Sequence, residues 1–253
     1  MNTTDLPPAK TDRTLHCGDL PVAIGLVFIL LATHGGALWD GIFLDDHWQR
    51  AASRHYGWGW HDLIESATID FSGSWNRFWF QDHPVVWRYA RPVAMLVVKL
   101  EYFITGGCPM GIQALALAWH GLTGWLVYQL ACWAGLTRFW AFLAGVFLII
   151  HPHSVITVSW ASARNALVNG CFLTAAILTY TQSNGRRLLI PIVLWLLALL
   201  SRETGIIFLP LIVMLDACFG GLAQVRRRWP AYLVVALLSL VFLYYRLVIF
   251  SVD

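Results

Sequence analysis

Long apolar runs, separated by short polar connectors, extend along most of this chain. A helix needs about 20 apolar residues to cross the hydrocarbon core at about 1.5 Å per residue, and shorter runs must borrow flanking residues. The pattern predicts seven transmembrane helices. Their apolar runs are Leu20 to Leu38, Ile112 to Trp133, Phe139 to Ile150, Val155 to Tyr180, Leu188 to Leu200, Gly205 to Phe219 and Ala231 to Phe250.

An eighth apolar stretch, Pro92 to Thr105, contains two charged residues, Lys99 and Glu101. A crossing here would place the amino-terminal tail on the opposite side of the membrane from the other basic connectors, so we expect the segment to dip into the outer face or lie on it. Its two charges agree with that. A short eighth crossing helix with one salt-bridged pair is the alternative.

Basic residues mark four of the polar segments, and basic connectors between membrane helices usually face the cytoplasm. They are Lys10 with Arg13, Arg138, Arg186 with Arg187, and Arg226 to Arg228. Placing all four on one side gives a cytoplasmic amino terminus. We expect residues 1–19 to form a disordered tail and residues 20–253 to form the membrane domain. The first extracytoplasmic loop then extends from 39 to 111.

This long loop is rich in tryptophan, because half of the 14 tryptophans of the chain lie between Trp39 and Trp87. Tryptophan prefers the level of the lipid headgroups, so we expect the loop to form short interfacial helices on the outer leaflet. The alternative for individual tryptophans is an aromatic belt with no further role.

Composition agrees with this architecture and excludes several functional classes. The chain is 58% hydrophobic and 12% charged, with a mean hydropathy of +0.62, which indicates an all-α polytopic membrane protein. The basic residues are dispersed among the connectors, so nucleic acid is not an expected partner. The sequence contains no CxxC, Walker or HExxH motif.

The main candidate for chemistry is the pair Asp45 and Asp46, directly after the first apolar run. Acidic residues at such a position typically hold a metal, bind a substrate or move a proton. The predicted topology places further polar residues on the same outer face: His83, Arg88, Arg91, His151, His153, Arg164, Asn165, Arg202, Glu203 and Arg246. Acids together with arginines suit an anionic, lipid-borne substrate.

The order of these motifs resembles a known superfamily. DDH after the first helix is followed by YARPVAM, then HPHSVITVSWASARNALVNGCFLTAAILTY, then SRETGIIFLPLIVMLDA. Between 45 and 216 this succession resembles the C-type (GT-C) membrane glycosyltransferases, and most of all the branch of the protein O-mannosyltransferases and TMTC-type enzymes. The resemblance implies a seven-helix module that is integral to a bacterial inner membrane or the ER membrane.

The resemblance also implies an activity: a sugar moves from a polyprenyl-phosphate carrier to a hydroxyl of a protein or glycan at the extracytoplasmic face. It implies Asp45 as general base, with Asp46 orienting it, binding the acceptor or ligating a divalent cation, and the reverse assignment stays open. The residues implied for substrate binding are Arg91, Arg164, Arg202, Arg246, Glu203 and His151.

Several alternatives stay open at this point. Arg246 is also explained by snorkelling from its helix, and Arg202 with Glu203 by a surface pair that caps a hairpin. The motif from His151 to His153 fits a metal site or a solvated turn, and His34 and His120 fit hydrogen-bonded packing residues.

Two departures from the family pattern concern catalysis. Asn165 stands where related sequences often carry Asp, and the chain ends at Asp253 without the further helices and repeats of full-length members. A truncated or minimal module is therefore expected. The alternatives in other functional classes are a non-catalytic membrane protein or carrier that retains the fold, and a small transporter.

Overall fold

The computed structural model describes residues 19–43, 45–70, 86–89, 91–183 and 187–249. The predicted tail before Asp19, together with His83 and Arg186, lies outside the described residues. The helices are α1 (Leu20–His34), α2 (Asp45–His55), α3 (Trp60–Glu65), α4 (Pro92–Thr105), α5 (Pro109–Trp133), α6 (Arg138–Ile150), α7 (His153–Ser159), α8 (Arg164–Gln182), α9 (Leu189–Leu199) and α10 (Phe208–Tyr244).

Non-α elements are short. Strands β1 (Thr68–Asp70) and β2 (Val86–Arg88) pair antiparallel, with Ile69 opposite Trp87. The remaining turns are 3-10 segments at Gly35–Trp39, Ala161–Ala163 and Glu203–Ile207, and a π turn at Tyr245–Ile249. The predicted helical class is therefore confirmed, with one small β-ladder that the sequence analysis did not predict.

Among the described residues, two helical segments are long and apolar enough to cross a membrane, Leu20–Trp39 and Glu203–Val248. Helices α6 and α7 would supply a third if the pair, bent by 63° at its break, counts as one span. Helix α9 is apolar but shorter. These segments indicate a membrane protein, and the number of seven crossings stays a prediction.

The buried apolar residues form two main clusters. One cluster joins α8, α9 and α10 around Ala176, Trp195 and Ile212, and the other joins α1, α5 and α6. Glycines bring α5 and α6 close together, because a Cβ added at Gly145 would lie 2.9 Å from the carbonyl oxygen of Gly124. Small residues of this kind are typical of contacts between apolar helices in membranes.

The segment after Glu203 folds back on itself at Gly221, where φ is 66° and ψ is −175°. The Tyr232 hydroxyl donates a 2.6 Å hydrogen bond to Asp216 Oδ2 across 16 residues, which a straight helix would separate by about 24 Å. The predicted polar connector between Phe219 and Ala231 is therefore wrong in its bounds. The chain is helical on both sides of Gly221, and the reversal occurs at that one residue.

The predicted helix from Val155 to Tyr180 is also wrong, because the chain is interrupted between α7 and α8. Trp160 is extended, with φ −93° and ψ 108°, and Ala161–Ala163 forms a 3-10 turn before α8 begins. Within that turn the backbone N–H and the hydroxyl of Ser162 donate to Asp46 Oδ1, at 2.7 and 2.8 Å. A tertiary contact therefore stabilises the break.

Helix α4 has the predicted bounds, Pro92–Thr105, but its two charges are buried in protein. Lys99 Nζ donates to the carbonyl oxygens of Ser53 (3.1 Å) and Tyr56, and so caps the end of α2. Glu101 binds Arg164. The alternative of a mutual salt bridge within α4 is wrong, and the charges give no evidence of a water-facing segment.

The two ends of the helical assembly carry different groups. At one end, Arg138 lies 3.8 Å from Asp19, and the rings of Trp133 and Phe219 are 5.1 Å apart, next to the reversal at Gly221. These contacts bring together the start of α1, the α5–α6 connection and the turn of α10. The predicted site residues occur toward the other end, at the start of α2, α4 and α8 and at the far end of α10.

Candidate functional site

The two adjacent carboxylates at the start of α2 have opposite environments. Asp46 is 0% exposed, and its Oδ2 accepts a 3.2 Å hydrogen bond from the Phe43 N–H in addition to the two bonds from Ser162. Asp45 is exposed and makes no hydrogen bond or ion pair with any described residue. Asp46 therefore supports the fold, and Asp45 is available to a ligand.

Three of the residues predicted to bind substrate meet at one point. Arg91 donates from Nε and Nη2 to Glu203 Oε2, at 3.1 and 2.8 Å, and Arg246 Nε lies 3.6 Å from Glu203 Oε1. The side chains of Arg91, Arg246 and Glu203 are 20%, 23% and 29% exposed. We call these three residues the arginine cluster. It is partly exposed, and it joins two arginines to one carboxylate.

Arg202 precedes Glu203 and is half-buried, in an extended backbone conformation with φ −159° and ψ 140°. Its side chain makes no contact with a described residue that would neutralise it. The alternative of an Arg202–Glu203 surface pair is therefore wrong, because Glu203 binds the two other arginines.

Helices α4, α8 and α9 hold the backbone of the arginine cluster in place. The Val93 N–H donates to the carbonyl oxygen of Leu200 (3.2 Å), which joins the start of α4 to the end of α9. Asn169 of α8 donates from Nδ2 to the carbonyl oxygens of Ala198 (2.8 Å) and Arg202 (3.1 Å), and its Oδ1 accepts from the Thr204 hydroxyl (3.3 Å). The turn that carries Glu203 is thus fixed by a buried amide.

Arg164 lies apart from the arginine cluster. It is 1% exposed, its Nε donates to Glu101 Oε2 at 2.6 Å, and its Nη2 donates to the Ile112 carbonyl oxygen at 2.8 Å. Burial raises the pKa of Glu101, while the charge of Arg164 and hydrogen bonds from Arg164 and Trp119 oppose that shift. This geometry is that of a structural ion pair, so the structure does not bring Arg164 together with the other predicted phosphate ligands.

The histidines divide into two groups. His151 is exposed after α6, where its Nδ1 accepts from the His153 N–H at 3.2 Å, so the motif forms a local turn. His34 and His120 are buried, and their Nε2 atoms lie 2.7 and 3.2 Å from the carbonyl oxygen of Ile149. The interpretation of these two as hydrogen-bonded packing residues is confirmed.

No group of three or more metal-ligating side chains occurs within the described parts of the chain. Asp46 has both oxygens engaged by the protein, which leaves Asp45 as the one available carboxylate of the pair. A divalent cation at this pair stays a prediction, with Asp45 as the carboxylate that is exposed to receive it.

The sequence analysis missed several residues that build this region. Asn169 carried a signal, since it is an amide within an apolar helix, four residues after Asn165. Ser162 carried no such signal, because the neighbouring sequence does not show that the helix is interrupted there or that Ser162 binds Asp46. Glu101 was assigned to the membrane surface, and its burial depends on Arg164, which is 63 residues away.

Comparisons with known proteins give partial similarity to one class of enzyme. The chain is 29% identical over 130 residues to the Drosophila melanogaster "Protein O-mannosyl-transferase Tmtc1", covering 50% of this chain and 15% of that protein. It is 25% identical over 123 residues to the Mus musculus "Protein O-mannosyl-transferase TMTC3" (46% and 13%), and 26% identical over 95 residues to the Homo sapiens protein of that name (38% and 10%).

The chain thus spans at most 15% of the length of these curated relatives. Neither a protein-family profile nor a solved structure matches it. The similarity supports, loosely, the branch that the motifs between 45 and 216 resemble.

Proposed function

We propose that this protein is a membrane glycosyltransferase that moves a sugar from a polyprenyl-phosphate donor to an acceptor hydroxyl at the extracytoplasmic face. The observation that carries the proposal is the convergence of Arg91 and Arg246 on the single carboxylate of Glu203, with Arg202 next in sequence. A partly exposed site that brings two guanidinium groups together suits a phosphate that stays attached to a lipid.

The proposed reaction assigns one task to each group. The Asp45 carboxylate accepts the proton of the acceptor hydroxyl while the new bond forms between that oxygen and the anomeric carbon. The bond from the anomeric carbon to the phosphate oxygen breaks, and the electron pair leaves with the phosphate. The polyprenyl phosphate gains negative charge in this step, and the arginines stabilise it.

The environments of the two carboxylates favour Asp45 over Asp46 as the base. A base needs a free oxygen that a substrate can reach, and Asp45 is exposed. Asp46 already accepts three hydrogen bonds from the protein, so we assign it the role of holding α2 against the Ala161–Ala163 turn.

The proposal includes seven crossings and a cytoplasmic amino terminus. The contacts of Asp19 with Arg138, and of Trp133 with Phe219, bring three segments that the charge pattern assigns to the cytoplasm to one end. The reversal at Gly221 supports two crossings within the Glu203–Val248 segment, one for each arm. The acceptor, a protein or glycan hydroxyl, would approach from the opposite end.

Donor binding tests the site. We expect purified protein in nanodiscs to bind a polyprenyl-phosphate mannose saturably, and Arg91→Ala to weaken that binding about tenfold or more, because it removes a charged hydrogen-bond donor. Arg138→Ala removes the same charge at the other end and is the matched control. Equal affinity of the Arg91→Ala variant and the wild type would exclude the arginine cluster as the donor site.

A further inference from the structure

Glu203 is the one acidic member of the arginine cluster, and its bonding there is incomplete. Both Arg91 donors go to Oε2, while Oε1 is buried without a hydrogen-bond partner in the described structure. Arg246 Nε is 3.6 Å from Oε1, which is an ion-pair distance but too long for a hydrogen bond. The Glu203 carboxylate therefore attracts two guanidinium groups and is hydrogen-bonded to the one of Arg91.

The same chain contains an arginine–glutamate pair of the opposite kind. Arg164 and Glu101 are 1% and 7% exposed, and Trp119 Nε1 donates to the second Glu101 oxygen at 2.9 Å. Both carboxylate oxygens of Glu101 are thus hydrogen-bonded inside the protein. In contrast, Arg91 and Glu203 are 20% and 29% exposed, and solvent screens a partly exposed ion pair more than a buried one.

Only a side-chain movement would be needed to release Glu203 from the arginines. The backbone of its turn is fixed by Asn169 on the Arg202 carbonyl oxygen (3.1 Å) and by Trp195 Nε1 on the Gly205 carbonyl oxygen (2.9 Å). Arg91 keeps a second partner, since its guanidinium carbon lies 4.4 Å from the centre of the Tyr89 ring. A cation–π contact of this kind would hold Arg91 in position after the carboxylate leaves.

We infer that the Glu203 carboxylate is an internal stand-in for the donor phosphate, which displaces it from Arg91 and Arg246 on binding. This inference rests on the proposed function and adds a competing ligand to it. A phosphate offers more acceptor oxygens than a carboxylate, so it engages both guanidinium groups at once. Glu203 thereby occupies the donors of the arginines while the site is empty and lowers the affinity for the donor phosphate.

The inference predicts an increase in affinity from the loss of an acidic side chain. We expect Glu203→Gln to bind a short-chain polyprenyl phosphate about two- to fivefold more tightly than the wild type, because a partly exposed, solvent-screened ion pair is a modest competitor. Glu203→Ala should bind more tightly as well, and it is a second test if the glutamine variant folds poorly. Glu65→Gln, the same change at a glutamate outside the arginine cluster, should leave the affinity unchanged.

Binding is measured in phosphatidylcholine nanodiscs for the wild type, both Glu203 variants, Glu65→Gln and Arg91→Ala. Unchanged or weaker binding by both Glu203 variants, with weaker binding by Arg91→Ala, would overturn the inference and leave the donor site intact. Unchanged binding by Arg91→Ala would overturn the proposed site itself. Displacement of the polyprenyl phosphate by inorganic phosphate or by phosphatidylglycerol at equal concentration would also overturn the assignment to a polyprenyl carrier.

Discussion

Asp45 and Asp46 show how two neighbouring residues of one type acquire different tasks. The helix begins at this point, so successive side chains point in different directions, and one is directed into the protein and the other outward. Asp46 stabilises the chain by accepting bonds from Phe43 and Ser162, which are otherwise unpaired donors near the ends of two helices. The exposed neighbour is free to contact a substrate.

This division predicts different effects of the two residues on stability. Asp46→Ala leaves the N–H groups of Phe43 and Ser162 without an acceptor, and we expect it to lower the free energy of unfolding by about 3 kcal/mol. Asp45→Ala, its matched control, should change that free energy by no more than about 0.5 kcal/mol. Chemical unfolding in detergent measures both, and equal losses for the two variants would show that the assigned roles are wrong.

At the level of elements, the reversal within α10 places Arg246 beside Glu203. The first arm begins just after Glu203, the second ends just before Arg246, and Asp216 joins the arms near the turn. Asp216 accepts hydrogen bonds from Tyr180, Gln224 and Tyr232 and pairs with Arg228. The second cation of the arginine cluster therefore depends on a turn at the opposite end of the arms.

Gly221 should be essential for this turn. Its φ of 66° and ψ of −175° belong to a region that is open almost only to glycine, so Gly221→Ala should cost about 1–3 kcal/mol of unfolding free energy. Gly170→Ala is the matched control, since Gly170 is helical and an added Cβ meets only a Thr123 methyl, at 4.0 Å. That change should be neutral or stabilising by up to about 1 kcal/mol. Gly221→Ala with wild-type stability would contradict the reversal.

Local signals explain which elements the sequence predicts well. Pro92 at the first turn of α4 and Gly106 after its last turn, with φ of 62°, mark both ends of that helix. The interruption before Arg164 has no such signal, because the residues from Val155 to Trp160 include no proline, glycine or charge. The helical course ends where Gln113 donates to the Ser159 carbonyl oxygen (2.6 Å) and Ser162 donates to Asp46. Tertiary hydrogen bonds of this kind are not visible in a pattern of hydropathy.

In the candidate site, too, the sequence indicates the residues but not the contacts between them. Arg91, Glu203 and Arg246 are identifiable in the sequence because the topology predicted from the basic connectors assigns all three to the outer face. Their mutual contacts are not predictable, since Arg91 and Glu203 are 112 residues apart. Arg164 shows the converse, because the sequence gives an arginine in the same region and only its burial with Glu101 separates it from the other three.

At the scale of the whole molecule, the protein has two ends of different character. At one end, the Arg138–Asp19 pair joins α6 to the start of α1, and the Arg228–Asp216 pair joins the two arms of α10. The other end carries Asp45 and the arginine cluster. This polarity suits an enzyme whose lipid carrier lies in the bilayer and whose acceptor arrives from the extracytoplasmic side. The similarity to protein O-mannosyltransferases covers half of the chain or less and agrees with that class.

Sugar transfer by the purified protein tests the central claim most directly. The measurement is transfer of radiolabelled mannose from a polyprenyl-phosphate carrier to a serine- and threonine-containing peptide in nanodiscs. We expect the wild type and the control Asp40→Asn to transfer the sugar, and Asp45→Asn to be slower by a factor of about 10²–10⁴, because it lacks the base. Wild-type turnover by Asp45→Asn, or no transfer by the wild type with any polyprenyl-phosphate sugar, would contradict the account.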